Sequence, residues 1–288
     1  MADIIIKNER LTASVAVPGE TYRRSRYDWS GMVRQVELDG KHTFFSGERP
    51  GGLDGVGLSS AVEWMDTRYH DACAIADTFP MLGIGLCRRG DMNPFGFTKD
   101  YTVLPFDHAI ETTESSVTMK TLPRICQGVA VEETKTITLE GNSLRCHYAF
   151  RNVGEVAIHA TEFVHNFFKF DDITVDDSYE LRLPYNVSAR MRRGELKLLP
   201  YGYKLGEFDA PSQSSAFFIE GYEGLTSHWI RLSHEKSGLS VLVEDDFPVV
   251  RFYGWNTSDA FCPETFVQID AEPGETFEYD RVYTFNAE

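Results

Sequence analysis

Apolar and polar residues alternate with period two through much of the chain. The segments 11–17, 33–38, 129–139, 144–150 and 239–244 each present one apolar side, the pattern of a strand with one buried face. Turn signals fall between them at short intervals: Asp39-Gly40, Glu140-Gly141-Asn142, Asn152-Val153-Gly154 and Pro273-Gly274-Glu275. Such spacing leaves no room for crossover helices, so the strands must be antiparallel. Helix is expected for a turn or two at most, around 58–65. With no linker, composition shift or fixed internal repeat, residues 1–288 read as a single all-β domain, a large antiparallel β-sandwich.

Composition adds exclusions. The chain carries 44 Asp+Glu against 28 Lys+Arg, a net charge of −16, which excludes a nucleic-acid binder held by a general basic field. At 42% hydrophobic and 13% aromatic residues it has enough apolar surface for a core, unlike a disordered acidic tail. The N-terminal segment has only a three-residue apolar run before Lys7, too short for a secretory signal. No stretch approaches a spanning helix; the longest, 72–87, is interrupted by Asp77 and Pro80. No membrane partner is therefore expected. Five cysteines without a C-x-x-C pair fit reduced, buried thiols and a cytoplasmic location.

Cofactor and metal signatures fail. Gly83-Ile-Gly85 is followed by Leu-Cys-Arg, no Gly-Lys-Ser/Thr occurs, and no two histidines stand two apart. The acidic run 171–177 lacks the glycine of a calcium loop, and there is no Gly-x-Ser-x-Gly. Neither a cofactor nor a metal is expected.

Two segments could carry chemistry. In 144–171, a strand, an Asn-Val-Gly-Glu turn and a second strand end in His165-Asn166-Phe167-Phe168. Period two puts His159, Thr161, Phe163 and His165 on one face. A histidine among aromatics can act as a general acid near neutrality, or it can be a hydrogen-bonded core residue. In 250–266, Glu264 follows a proline, with Trp255 nearby. An aromatic face beside polar groups suits a sugar; the alternative is a core tryptophan and a solvated edge charge.

Tyr148, Asn152, Gly154, His165, Asn166 and Phe168 together resemble the signature of the aldose 1-epimerase (galactose mutarotase-like) superfamily. Trp255-Asn256, Pro263-Glu264 and Pro273-Gly274-Glu275 are similar to its C-terminal segment, and 26–33, 39–42 and 82–88 resemble earlier parts more loosely. The resemblance implies a β-supersandwich that interconverts the anomers of a hexose or hexose derivative, with His165 as general acid, Glu264 as general base and no cofactor. Its implied partner is a small sugar; the oligomeric state stays open. Asn166 and Trp255 are the implied substrate-binding residues. Segment 85–95 lacks the family's additional histidine, and either Arg88 or Arg89 stands in for it, which would favour an acidic or phosphorylated sugar, or the two are a surface arginine pair balancing nearby Asp91. Arg26 and Arg251 are further substrate-binding candidates of the same kind as Arg88. The rival reading is a non-catalytic carbohydrate-binding protein on the same fold.

Overall fold

The computed structural model describes residues 3–48, 55–64, 67–206, 208 and 213–288. Among them lie two ten-stranded antiparallel sheets and one of three strands. The first sheet runs, in spatial order, Ile4–Lys7, Leu11–Val15, Val33–Leu38, Leu58–Trp64, Ile158–Asn166, Ala260–Ala271, Arg251–Thr257, Ser215–Glu220 and Ser188–Arg193, with His42–Thr43 paired on Val33–Leu38. At the centre of the second, Thr276–Ala287 lies between Leu239–Asp245 and Ser143–Asn152. Thr78–Met81, Gly85–Arg88 and Thr102–Pro105 make the small sheet.

Local chemistry explains these pairings. Asp39 and Gly40 both have positive φ, 55° and 65°, at the centre of a tight turn in which the Lys41 amide donates to the Leu38 carbonyl, and Leu38 pairs with His42 across this three-residue loop. Val131–Glu140 alternates buried and half-buried residues up to the exposed Glu140 at its end, as a strand with one packed and one solvated face does. Asn152 closes the next turn with its side chain, donating to the carbonyls of Val156 and Ala271 and accepting from the Gly154 amide.

The inner faces of the two large sheets share one apolar cluster. Tyr148 stacks on Tyr279 with ring centroids 4.7 Å apart. Each large apolar side chain so buried contributes about 1.5–3 kcal/mol. Four of the five cysteines are buried and none is bridged.

Segment 58–65 departs from expectation. Leu58–Trp64 is a strand, and the one α-helical turn among the described residues follows at Arg68–Asp71. The first five residues of this strand are all buried because it lies inside the sheet, with covered surface on both faces, which erases the alternation by which a strand is read. Met65 lies outside the described residues. Among the described residues no helix is long and apolar enough to cross a membrane.

Candidate active site

Ile158–Asn166 and Ala260–Ala271 are neighbours, with Phe163 opposite Phe266. Carrying that register two residues further puts His165 opposite Glu264, on the face turned away from the second sheet. Their side chains meet, His165 Nε2 lying 3.1 Å from Glu264 Oε1, with only 3% and 4% of their side-chain surfaces exposed. Both lie at a cavity of about 450 Å³.

The rest of the lining follows from the same sheet. Tyr253 pairs with Glu264, and Phe218 pairs with Tyr253, so three adjacent strands carry one row of site residues. Trp255 sets its ring edge-on to His165 at 5.4 Å, and Phe167 stacks on the imidazole at 4.1 Å. Phe163, Phe266 and Phe97 add apolar surface. Arg26 donates to both carboxylate oxygens of Glu48, at 2.8 and 3.0 Å, with its guanidinium over Tyr27 and Phe97. Arg251 pairs with Glu63 and lies over the Phe266 ring at 3.6 Å.

Electrostatics here work against charge. Burial holds His165 well below the usual imidazole range, and the Arg26 cation pushes the same way. Burial raises Glu264 well above the usual carboxylate range; Arg26 and Arg251 oppose this, while Glu63 and Glu48 reinforce it. The 3.1 Å contact is not aligned as a hydrogen bond, since Glu264 Oε1 is buried without a hydrogen-bond partner; at the other ring nitrogen, His165 Nδ1 is buried and unpartnered as well. Unsatisfied buried polar atoms beside a cavity are free to serve a ligand. Among the described residues no group of three or more His, Cys, Asp or Glu is placed to hold a metal ion.

Of the residues singled out in the sequence, His165, Glu264, Trp255, Arg26 and Arg251 line this one cavity. Asn166 does not. It follows His165 in a regular strand, so it points to the other face, where it donates to the Pro263 carbonyl at 2.6 Å and accepts from the Tyr283 hydroxyl at 3.1 Å. Arg88 does not either: it ends a strand of the small sheet and is exposed, outside the cavity lining. Its neighbour Arg89 is buried as a structural anchor, donating to the carbonyls of His70, Asp71, Cys73 and Asp91. Asp91 pairs with Lys99 instead. Sequence reasoning missed Glu48, Glu63, Arg192 and Arg193. For the first pair the signal lies only in the folded strand order that brings them to Arg26 and Arg251.

No protein-family model matches the sequence, and no curated protein does. Solved structures do match. A galactose mutarotase related enzyme from Lactobacillus acidophilus is 14% identical, with 99% of this chain and 97% of that one covered at a TM-score of 0.62. A galactose mutarotase-like protein from Lactobacillus casei is 13% identical over 99% and 100% of the two chains, TM-score 0.63. An aldose epimerase homologue from C. elegans is 12% identical over 99% and 98%, TM-score 0.52. The chain has the galactose mutarotase-like fold, as its sequence resemblance implied.

Proposed function

We propose that this cavity interconverts the anomers of a hexose or hexose derivative, with His165 as general acid and Glu264 as general base. The carrying observation is the buried imidazole–carboxyl contact of 3.1 Å beside an aromatic-lined cavity. In a pyranose, the anomeric hydroxyl and the ring oxygen are bonded to the same carbon. An acid and a base that serve these two oxygens must be neighbours, as His165 and Glu264 are.

The proton count supports the reading as well. Neutral imidazole beside protonated carboxyl and imidazolium beside carboxylate are tautomers that hold the same number of protons. Burial favours the first; the hydroxyl of a bound sugar, donating to the carboxylate, favours the second. From the second, Glu264 takes the anomeric proton, the C1–O5 electron pair moves to the ring oxygen, and His165 gives that oxygen a proton. The open aldehyde then sits beside the neutral tautomer. Rotation about C1–C2 and the reverse transfers close the other anomer and restore the starting state. Each group typically contributes about 10²–10⁴-fold. Phe163, Phe266 and the edge of Trp255 offer the apolar surface that a sugar's C–H faces require.

Saturation-transfer NMR between anomers tests this across a panel of neutral, acidic and phosphorylated sugars. Accelerated exchange for at least one sugar, lost in His165→Asn while binding persists, is the expected result. Sugar binding without exchange at any pH would make the protein a carbohydrate-binding module.

A further inference from the structure

Four arginines line the cavity, and two are already engaged: Arg26 by Glu48 and Arg251 by Glu63. Arg192 and Arg193 have no carboxylate partner among the described residues. The nearby Arg190 is different, lying over the Phe218 ring at 4.4 Å and 3.9 Å from Glu220.

Two consecutive residues of a regular strand point to opposite faces, so both could not line one cavity. Here the register of Ser188–Arg193 against Ser215–Glu220 shifts between Met191 and Arg193. The extra residue makes a β-bulge, a device that re-aims side chains beside binding sites, and Arg192 and Arg193 both reach the cavity. In a protein of net charge −16, two adjacent unneutralised guanidiniums at one cavity act through directed hydrogen bonds, not through the overall field.

We infer that the cavity takes a sugar whose exocyclic carbon carries an anionic group, phosphate, sulfonate or carboxylate, held by Arg192 and Arg193. This inference rests on the anomer-exchange reading of the same site. Ser188–Arg193 stands three strand spacings from the strand of Glu264, about 14 Å at roughly 4.8 Å each. Glutamate reaches inward from one end of that span and arginine from the other. The remainder fits one pyranose ring with its exocyclic substituent, which puts C1 over His165 and Glu264 and the anion at the guanidiniums. Charges on an edge strand also deter edge pairing, but Arg190 already supplies one, and the bulge directs Arg192 and Arg193 to the cavity.

The test compares glucose with its 6-phosphate, its 6-sulfonate and glucuronate. Anomer exchange and calorimetric binding are measured for the parent, R192Q/R193Q and R192E/R193E, with thermal unfolding to check the fold. The parent is expected to favour at least one anionic sugar over glucose by at least about 10-fold in kcat/KM, and the anion with the largest ratio identifies the class. R192Q/R193Q should bring that ratio down to about one, mainly through KM, and R192E/R193E should reverse the preference. Equal handling of neutral and anionic sugars, unmoved by either variant, overturns the inference and leaves anomer exchange standing. If no sugar exchanges, calorimetry separates the two ideas. Anionic sugar binding that R192Q/R193Q abolishes upholds the anion site without the reaction; no binding to the parent overturns both.

Discussion

Ile158–Asn166 and Ala260–Ala271 carry two groups of buried ionisable residues back to back. On the face between the sheets, fully buried Arg281 donates to Glu162, Asp245, the Thr265 hydroxyl and the Thr265 carbonyl. On the other face, His165 and Glu264 are as deeply buried yet lack any such set of partners. Arg281 is held well above its usual range by Asp245 and Glu162 against the cost of burial, so its charge is fixed. His165 and Glu264 are both driven toward their neutral forms. The difference separates structure from chemistry: a buried charge held by four hydrogen bonds ties two sheets together, whereas a pair with no such set of bonds beside a cavity keeps its protons available.

Substitutions on the two faces should therefore fail in different ways. On the cavity face, Glu264→Gln is expected to cut anomer exchange by about 10²–10⁴-fold, as should His165→Asn, while the Tm moves little because neither side chain anchors anything. Saturation-transfer NMR and calorimetry on the same samples check this. A variant that unfolds rather than losing rate would dissolve the contrast between the faces.

On the inter-sheet face the expected loss is in stability. Arg281→Met strands two buried carboxyls and should cost about 3–5 kcal/mol in denaturant unfolding, with the exchange rate per folded molecule little changed. Adding Glu162→Gln and Asp245→Asn removes the stranded charges and should recover part of that loss. Failure of the triple variant to recover any would mean that Arg281 acts through packing, not charge.

How far the sequence spoke depends on what each feature needed. Strands such as Val131–Glu140 were legible because one packed face imposes strict alternation. Leu58–Trp64 was not, since a strand covered on both sides has no polar phase. His165 and Glu264 stood out as residue types, yet their meeting across 99 positions depends on strand order, which a family resemblance implied and periodicity alone could not supply. Asn166 was misassigned against a signal already present: next to His165 in a strand, it had to face the other way. Arg88 failed because its segment folds into the small sheet and ends exposed. Arg192 and Arg193 reach the cavity through a bulge, which leaves no mark in an alternation pattern.

A third substitution tests whether the two faces communicate. Asn166 lies on the inter-sheet face but grips the carbonyl of Pro263, the residue before Glu264. Asn166→Ala should cost about 1–3 kcal/mol in stability for its two lost hydrogen bonds. As a positioning residue for Glu264 it should also lower kcat, by about 10-fold, with KM nearly unchanged; a loss confined to stability would make it purely structural.

The smallest effect concerns pH. His165 is depressed in the fold, so it contributes stability that is complete above the unfolded value of about 6.5 and is lost as pH falls. Glu264 is raised, so its contribution is complete below the unfolded value of about 4.3 and is lost as pH rises toward its folded value. Between about 4.3 and 6.5 the two slopes oppose each other, and the pair adds little pH dependence. Above about 6.5 only the Glu264 slope remains, and stability should decline until the folded carboxyl ionises. Glu264→Gln should flatten that alkaline limb, and His165→Asn should flatten the acid limb below about 4.3, both relative to the parent. Exchange needs one shared proton on the pair, so its rate should fall on the alkaline side as the folded Glu264 ionises. Unfolding curves taken from about pH 2.5 to 9 for the parent and both variants make the comparison; an alkaline limb unchanged in Glu264→Gln would show that another group carries it and that Glu264 is not held neutral in the fold.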